Sequence, residues 1–342
     1  MRDLDVNALA VRLGPSALEE HGLAPLVFAS MALPALRDTA LRAAAVEPLR
    51  LADLRKVLTA LHARGIQPLI LKGTALAYDL YDAPEQRPRG DVDLLVARGE
   101  MEAVRDVFRE LGFRERITSG DEHGLRQQLF LRADDFGVEH AYDVHWEIAN
   151  QALFAGTLTA AELRPRANPL PRISALAFGL PRAEALLHAC IHRIAHHHDD
   201  ERLIWLVDIH LLRGAMPREE HARFWRLAAE RGVVGVCLRS VEVTEEWLGV
   251  RGPRAEEFLS PGELGREEPT RVYLAAKSRG GVLLADLRSL PWRARLQRLG
   301  QLAFPPRAFM RASFSHVRAP LPLLYVWRAV RGMARLFRKA GV

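Results

Sequence analysis

The order of residues in this chain predicts an α+β fold, a small sheet flanked by helical segments on both sides. Three observations carry that expectation. Over residues 1–64, Leu, Ala and Val recur at three- and four-residue spacing with no competing β-branched run. Between about residues 65 and 150, short apolar runs alternate with Gly-, Pro- and Asp-containing turns. From Pro181 onward the apolar residues fall again on single helical faces.

Taken in order, the first helical stretch closes at Gly65, with LRKVLTALHARG placing basic residues at its C-terminal end, where the helix dipole favours them. Gln67–Leu71 is a short apolar run suited to a buried strand. Lys72-Gly73-Thr74 then leads into a helix reaching Tyr81, and the loop DAPEQRPRG delivers the chain to a strand over Asp91–Val96. Residues 99–111 read as an amphipathic helix ended by Gly112. Gln127–Arg132 and Val138–Ile148 read as antiparallel strands around the turn Ala133-Asp-Asp-Phe-Gly137. PRAEALLHACIHRIAHHH, Glu201–Leu212 and the segment starting at Pro217 are helices. The polar RGPRAEEFLSPGELGREEPT reads as a linker. The expected organisation is an N-terminal helical segment (1–64), a sheet domain (65–150), a helical domain (151–250), a linker (251–270) and a basic tail (271–342).

An apolar fraction of 49% suffices for a packed core, and no apolar run reaches the roughly 18–20 residues of a membrane span. The opening MRDLDVNALAVR has no signal-like apolar region, so a cytoplasmic location is expected. Cys190 and Cys237 are too few for a disulfide framework and lack metal-site spacing. The net charge of +6 hides an asymmetry: from Arg271 onward there are 15 Lys/Arg and one acid, Asp286. Such a tail suits an anionic surface or an acidic partner.

The chemistry-bearing pattern begins at Asp91 and Asp93, two residues apart on the expected strand, which puts both carboxylates on one face. Paired like charges are repulsive unless a cation lies between them, and Mg²⁺ takes such oxygen ligands together with substrate phosphates. Asp143, on a later strand, completes an acid triad if an antiparallel pairing sets it beside the first two. Three carboxylates can hold two metal ions, one activating a hydroxyl and one steadying a triphosphate. Upstream, Gly73 permits close backbone approach and the helix start offers free N–H groups to phosphate. Lys72 adds a positive charge and Thr74 a hydroxyl, while Arg87 and Arg89 lie within reach of phosphate oxygens.

These residues carry a resemblance. LILKGTALAYDLYDAPEQRPRGDVDLLV, followed about fifty residues later by YDVHW, resembles the uncharacterised nucleotidyltransferase family of the DNA polymerase beta superfamily over roughly residues 50–215. The resemblance implies a mixed-sheet palm, Mg²⁺ and a nucleoside triphosphate, with ATP-binding the working expectation. It departs where the superfamily's Gly-Ser turn reads Lys72-Gly73-Thr74, which leaves open whether hydroxyl or lysine holds phosphate. Arg202-Leu-Ile-Trp-Leu-Val-Asp208 is similar to the basic-then-Asp helix that follows the palm in related transferases. That similarity implies that Arg202 touches the triphosphate and that Asp208 orients it or the acceptor.

The first expectation is therefore an enzyme that moves a nucleotidyl group from a triphosphate to a hydroxyl acceptor. Its rivals are a non-catalytic nucleotide-binding or scaffold protein docking through the basic tail, and a metal phosphohydrolase built on histidines. His188, His192 and His196 share a helix face, and His198-Asp199 is similar to phosphohydrolase ligand pairs, yet no further ligands are evident at defined spacing. A helix face bordering the catalytic cleft accounts for them as well. His145 shares the face of Asp143, whereas Trp146 packs in the core. In the tail, PLPLLYVWRAVRGMARLFRKAGV suits either an amphipathic helix on an anionic membrane or a helix packed on the body. No nucleic-acid module accompanies the charge, which argues against specific nucleic-acid binding.

Overall fold

The computed structural model describes residues 4–117, 126–197, 199–275, 279–314, 317 and 319–336; His198 and residues 337–342 of the tail lie outside the described residues. Helices α1 (Val6–Glu20), α2 (Ala24–Met31) and α3 (Arg37–Ala63) open the chain. Asp5 starts α1 by accepting the Ala8 N–H at 2.9 Å, which satisfies an otherwise orphaned donor. After α3, Gly65 turns the chain at φ +71, a conformation that costs a side-chain-bearing residue steric strain.

The sheet domain follows as β1 (Leu69–Ile70), α4 (Lys72–Asp79), β2 (Val92–Leu95), α5 (Met101–Glu110), β3 (Arg114–Glu115), β4 (Gln127–Ala133) and β5 (Glu139–His145). After a short helix α6 (Ala160–Leu163), strands β6 (Asn168–Pro169) and β7 (Phe178–Gly179) complete a seven-stranded mixed sheet of order β3-β4-β5-β2-β1-β7-β6. β4 and β5 form the expected antiparallel hairpin around Asp134–Gly137.

One expectation is corrected. β5 runs parallel to β2, with Asp93 opposite Asp143 and Leu95 opposite His145. The connection between them contains α5 and the β3–β4 excursion, which is long enough to return the chain to the same sheet end, as a parallel pairing requires. The strand also begins one residue later than expected, at Val92, so Asp91 stands at its entrance.

Strand alternation then sorts the side chains. Val92, Leu94, Tyr142 and Val144 enter a core with Leu54, Val57, Leu58 and Leu61 of α3 and Val104, Val107 and Phe108 of α5. Phe108 stacks on Phe130 at 4.3 Å between ring centres and meets Tyr142 edge-on at 5.3 Å. Each such ring removed from water contributes about 1.5–3 kcal/mol. On the opposite face Leu69 and Leu95 join a second core, built with α7 (Arg182–Ala195), α9 (Arg218–Glu230) and α10 (Val234–Leu248). A third core joins α1 and α2 to Leu203, Ile204, Leu206 and Val207 of α8 (Leu203–Gly214). Asp93 and Asp143 therefore face the helical side, at the seam between sheet and α7.

Beyond α10, Glu268 is buried and accepts the Val234 and Gly235 N–H groups at 2.8 Å each, capping α10. Helices α11 (Pro261–Leu264), α12 (Val272–Ala275), α13 (Arg279–Ser289), α14 (Trp292–Ala303), α15 (Arg307–Ser313) and α16 (Leu321–Leu336) complete the described chain. No helix among the described residues is long and apolar enough to cross a membrane.

Candidate active site

The centre of the site is Asp93, 5% exposed, whose Oδ1 receives Lys72 Nζ at 2.6 Å and lies 2.9 Å from His145 Nε2. A carboxylate oxygen only accepts, so that imidazole nitrogen carries the proton facing it. Burial by itself raises the Asp93 pKa; the Lys72 charge and the His145 hydrogen bond outweigh it and hold the carboxyl below the usual carboxylate range. Lys72 reaches this position from a left-handed backbone conformation, φ +48. For a residue with a Cβ that geometry is strained, and strain of this kind persists where the surrounding structure enforces it.

Asp143 Oδ2 accepts Gln127 Nε2 at 2.5 Å and lies 3.6 Å from His145 Nε2, while its Oδ1 is buried with no hydrogen-bond partner among the described residues. Burial pushes the Asp143 pKa up, and Asp93 adds to this against the opposing charges of His145 and Lys72. Asp91 reaches solvent at the strand entrance, and its pKa is also raised, by partial desolvation first and then by Asp93 and Asp143. Like-charge repulsion couples Asp91 to both, but it precedes the strand and stands outside the group of ligand atoms formed by Asp93, Asp143 and His145.

Asp93, Asp143 and His145 bring potential ligand atoms within 4.8 Å of one another, the one such group among the described residues, and the two carboxylates are its oxygen donors while His145 Nε2 donates to Asp93. An orphaned carboxylate oxygen beside a second carboxylate is a donor set that fits a hard divalent cation. His145 follows from the β5 alternation that puts it on the face of Asp143; its reach to Asp93 depends on the parallel register and was not legible beforehand.

The phosphate-side candidates are distributed as follows. Thr74 is buried and its hydroxyl donates to the Asp91 carbonyl at 3.4 Å, which ties the start of α4 to the strand entrance. Gly73 makes room for Arg87: a Cβ on Gly73 would stand 3.2 Å from three guanidinium atoms. Arg87 Nε lies 2.9 Å from Asp208 Oδ1, and its Nη2 lies 2.7 Å from Oδ2; Tyr81 adds its hydroxyl to Oδ1 at 2.8 Å. Both side chains of that ion pair are under a tenth exposed. Burial lowers the Arg87 pKa, but Asp208 more than compensates and holds it above the ordinary arginine value. Asp208 is thus the counter-ion that anchors the loop before Asp91. Arg89 pairs with Glu47 of α3, which also accepts the Tyr78 hydroxyl at 2.5 Å. Arg202 starts α8 and lies 5.5 Å over the Trp205 ring.

One cleft of about 280 Å³ is lined on the sheet side by Lys72, Gly73, Arg87, Arg89, Asp91 and Asp93, whereas Thr74 and Asp143 are not among its lining residues. Arg202, Trp205 and Asp208 of α8 and His188, His192 and His197 of α7 and its end form the helical wall. The histidines thus border the cleft. His188 Nε2 is buried without a partner among the described residues, and burial, assisted by the charges of Lys72 and His145, pushes its pKa down to about 3.

The seven-stranded mixed sheet with helical parts on both sides is consistent with a nucleotidyltransferase fold. The chain belongs to the uncharacterised nucleotidyltransferase family, whose model matches residues 15–249 and so spans the sheet and both adjoining helical parts. A search of curated proteins returned no match.

Proposed function

We propose that the chain transfers a nucleotidyl group from a nucleoside triphosphate to a hydroxyl acceptor and releases pyrophosphate. The observation that carries this reading is the register of Asp93 against Asp143, with Asp91 at the strand entrance and an Asp143 oxygen left without a hydrogen-bond partner among the described residues. Asp91, Asp93 and Asp143 would hold Mg²⁺, which when bound supplies charge neutralisation for the triphosphate and lowers the cost of ionising the acceptor hydroxyl.

The chain's own residues take the remaining roles. The acceptor oxygen forms a bond to the α-phosphorus as the bond from that phosphorus to the pyrophosphate oxygen breaks, and the hydroxyl proton passes to the Asp143 carboxylate. Lys72 and the first N–H groups of α4 face the triphosphate, and Gly73 keeps this turn open. Arg202 on the opposite wall contacts the terminal phosphates. Asp208 and Tyr81 fix Arg87, and through it the loop that presents Asp91.

The test is pyrophosphate release from each ribonucleoside triphosphate with Mg²⁺, using a fractionated extract as the source of acceptors. Release that is lost in Asp93→Asn and on chelation supports transfer. Triphosphate binding without turnover supports a nucleotide-binding scaffold instead. Turnover that survives Asp91→Asn and Asp93→Asn but fails in His192→Ala supports the histidine-based phosphohydrolase.

A further inference from the structure

Eight of the thirteen large apolar side chains exposed among the described residues lie from Leu284 onward, outside the segment matched by the family. They are ordered along the helices. On α14, Trp292, Leu296 and Leu299 are 65%, 60% and 43% exposed at positions i, i+4 and i+7, one helical stripe. On α16, Leu323, Val326 and Val330 are 59%, 61% and 55% exposed at i, i+3 and i+7, a second stripe.

The two helices are tied together. Tyr325 donates its hydroxyl to the Pro305 carbonyl at 2.6 Å, and Arg328 Nη1 donates to the Leu302 carbonyl at 2.5 Å. Phe304, 74% exposed, sits 6.1 Å from the Tyr325 ring at this junction. Around the apolar stripes, Arg293, Arg307, Arg311 and Arg331 are exposed, and Arg331 lies 4.2 Å over the Trp327 ring. The one acid of this region, Asp286, is turned toward the body, where it accepts the Ala152 N–H at 2.5 Å and the Tyr273 hydroxyl at 3.1 Å.

We propose that α14 and α16 dock the protein on an anionic lipid surface, lying in the headgroup layer without crossing it. Charge complementarity selects the occupant: 15 Lys/Arg against one acid from Arg271 onward require a negative surface. The apolar stripes select lipid over nucleic acid, since a phosphate backbone satisfies arginines but leaves Trp292, Leu296, Phe304 and Val326 in water. A bilayer interface takes both, with guanidinium groups among the headgroups and Trp, Phe, Leu and Val side chains at the acyl boundary. No described helix is long and apolar enough to span, which fits a helix pair lying in the plane.

The experiment is co-sedimentation of the full chain with vesicles of phosphatidylcholine containing about 30% phosphatidylglycerol, against pure phosphatidylcholine, in ~0.1 M NaCl. The anionic vesicles should bind at least ~10-fold more tightly, and ~0.5 M NaCl should release most of the protein. Exchanging Phe304, Val326 and Val330 for serine should weaken binding by ~10-fold or more at unchanged melting temperature, because these side chains are exposed. Arg293→Gln with Arg331→Gln should weaken it by roughly 5- to 25-fold. Equal binding to both vesicle types overturns the proposal, as does failure to sediment with the anionic ones. Serine variants that bind like the parent, or retention by a random-sequence RNA in place of vesicles, overturn it equally.

Discussion

Asp208→Asn removes one charge from a deeply enclosed ion pair that touches the cleft. Arg87 and Asp208 have side chains 8% and 6% exposed, and the guanidinium makes Nε and Nη2 contacts of 2.7–3.0 Å to both carboxylate oxygens. Asparagine keeps one acceptor oxygen, so at least one guanidinium donor and the full positive charge are left without compensation in a buried position. Breaking one partner of such a pair costs about 3–5 kcal/mol, because the stranded charge keeps its desolvation penalty. Tyr81→Phe removes only the 2.8 Å hydroxyl donor to Asp208, a hydrogen bond to a charged group expected to contribute about 1.5–3 kcal/mol. Urea unfolding at neutral pH, followed by circular dichroism and compared at constant slope, measures both losses. The reasoning fails if Asp208→Asn costs under about 1 kcal/mol, or no more than Tyr81→Phe.

Three further perturbations follow from the same geometry. Gly73→Ala drives a methyl to 3.2 Å from the Arg87 guanidinium and should cost about 1–3 kcal/mol in the same assay; a neutral effect would mean Arg87 moves freely. Lys72→Met leaves Asp93, 7% exposed at its side chain, without its ammonium and should cost about 3 kcal/mol at neutral pH, read as a lower urea midpoint. His188 holds its pKa near 3 against an ordinary 6.5, so below about pH 6.5 the unfolded chain gains a proton that the folded chain refuses, and stability falls with pH. By about pH 5 the loss for His188 alone is ~2 kcal/mol, and His192 and His196 act in the same direction. His188→Leu should flatten the dependence of the urea midpoint on pH between about 7 and 5; an unchanged slope contradicts the assignment.

The α+β class, the β4–β5 hairpin and the family were legible because they rest on local spacing. Val92 and Leu94 enter one core and Leu95 the other, as a period of two requires. The direction of β5 relative to β2 was not legible: parallel and antiparallel pairings both bring Asp143 beside Asp93, and the choice depends on how α5 and β3 return the chain. Long-range counter-ions were equally hidden. Asp208 lies 121 residues from Arg87, and Glu47 lies 42 from Arg89 within a helix whose periodicity gives no reason to bury an acid. Lys72 offered a phosphate ligand to the sequence reader; its 2.6 Å contact to Asp93 depends on a positive φ that no local pattern announces.

The most direct test of the transfer centre follows the α-phosphate itself. Full-length protein incubated with Mg²⁺, an α-labelled triphosphate and fractionated acceptors should pass label to an acceptor in step with pyrophosphate release. Asp93→Asn and Asp143→Asn should each abolish both while leaving the fold intact by circular dichroism. Label transfer that persists in the folded Asp93→Asn or Asp143→Asn protein would contradict a nucleotidyl-transfer centre built on the β2–β5 carboxylates.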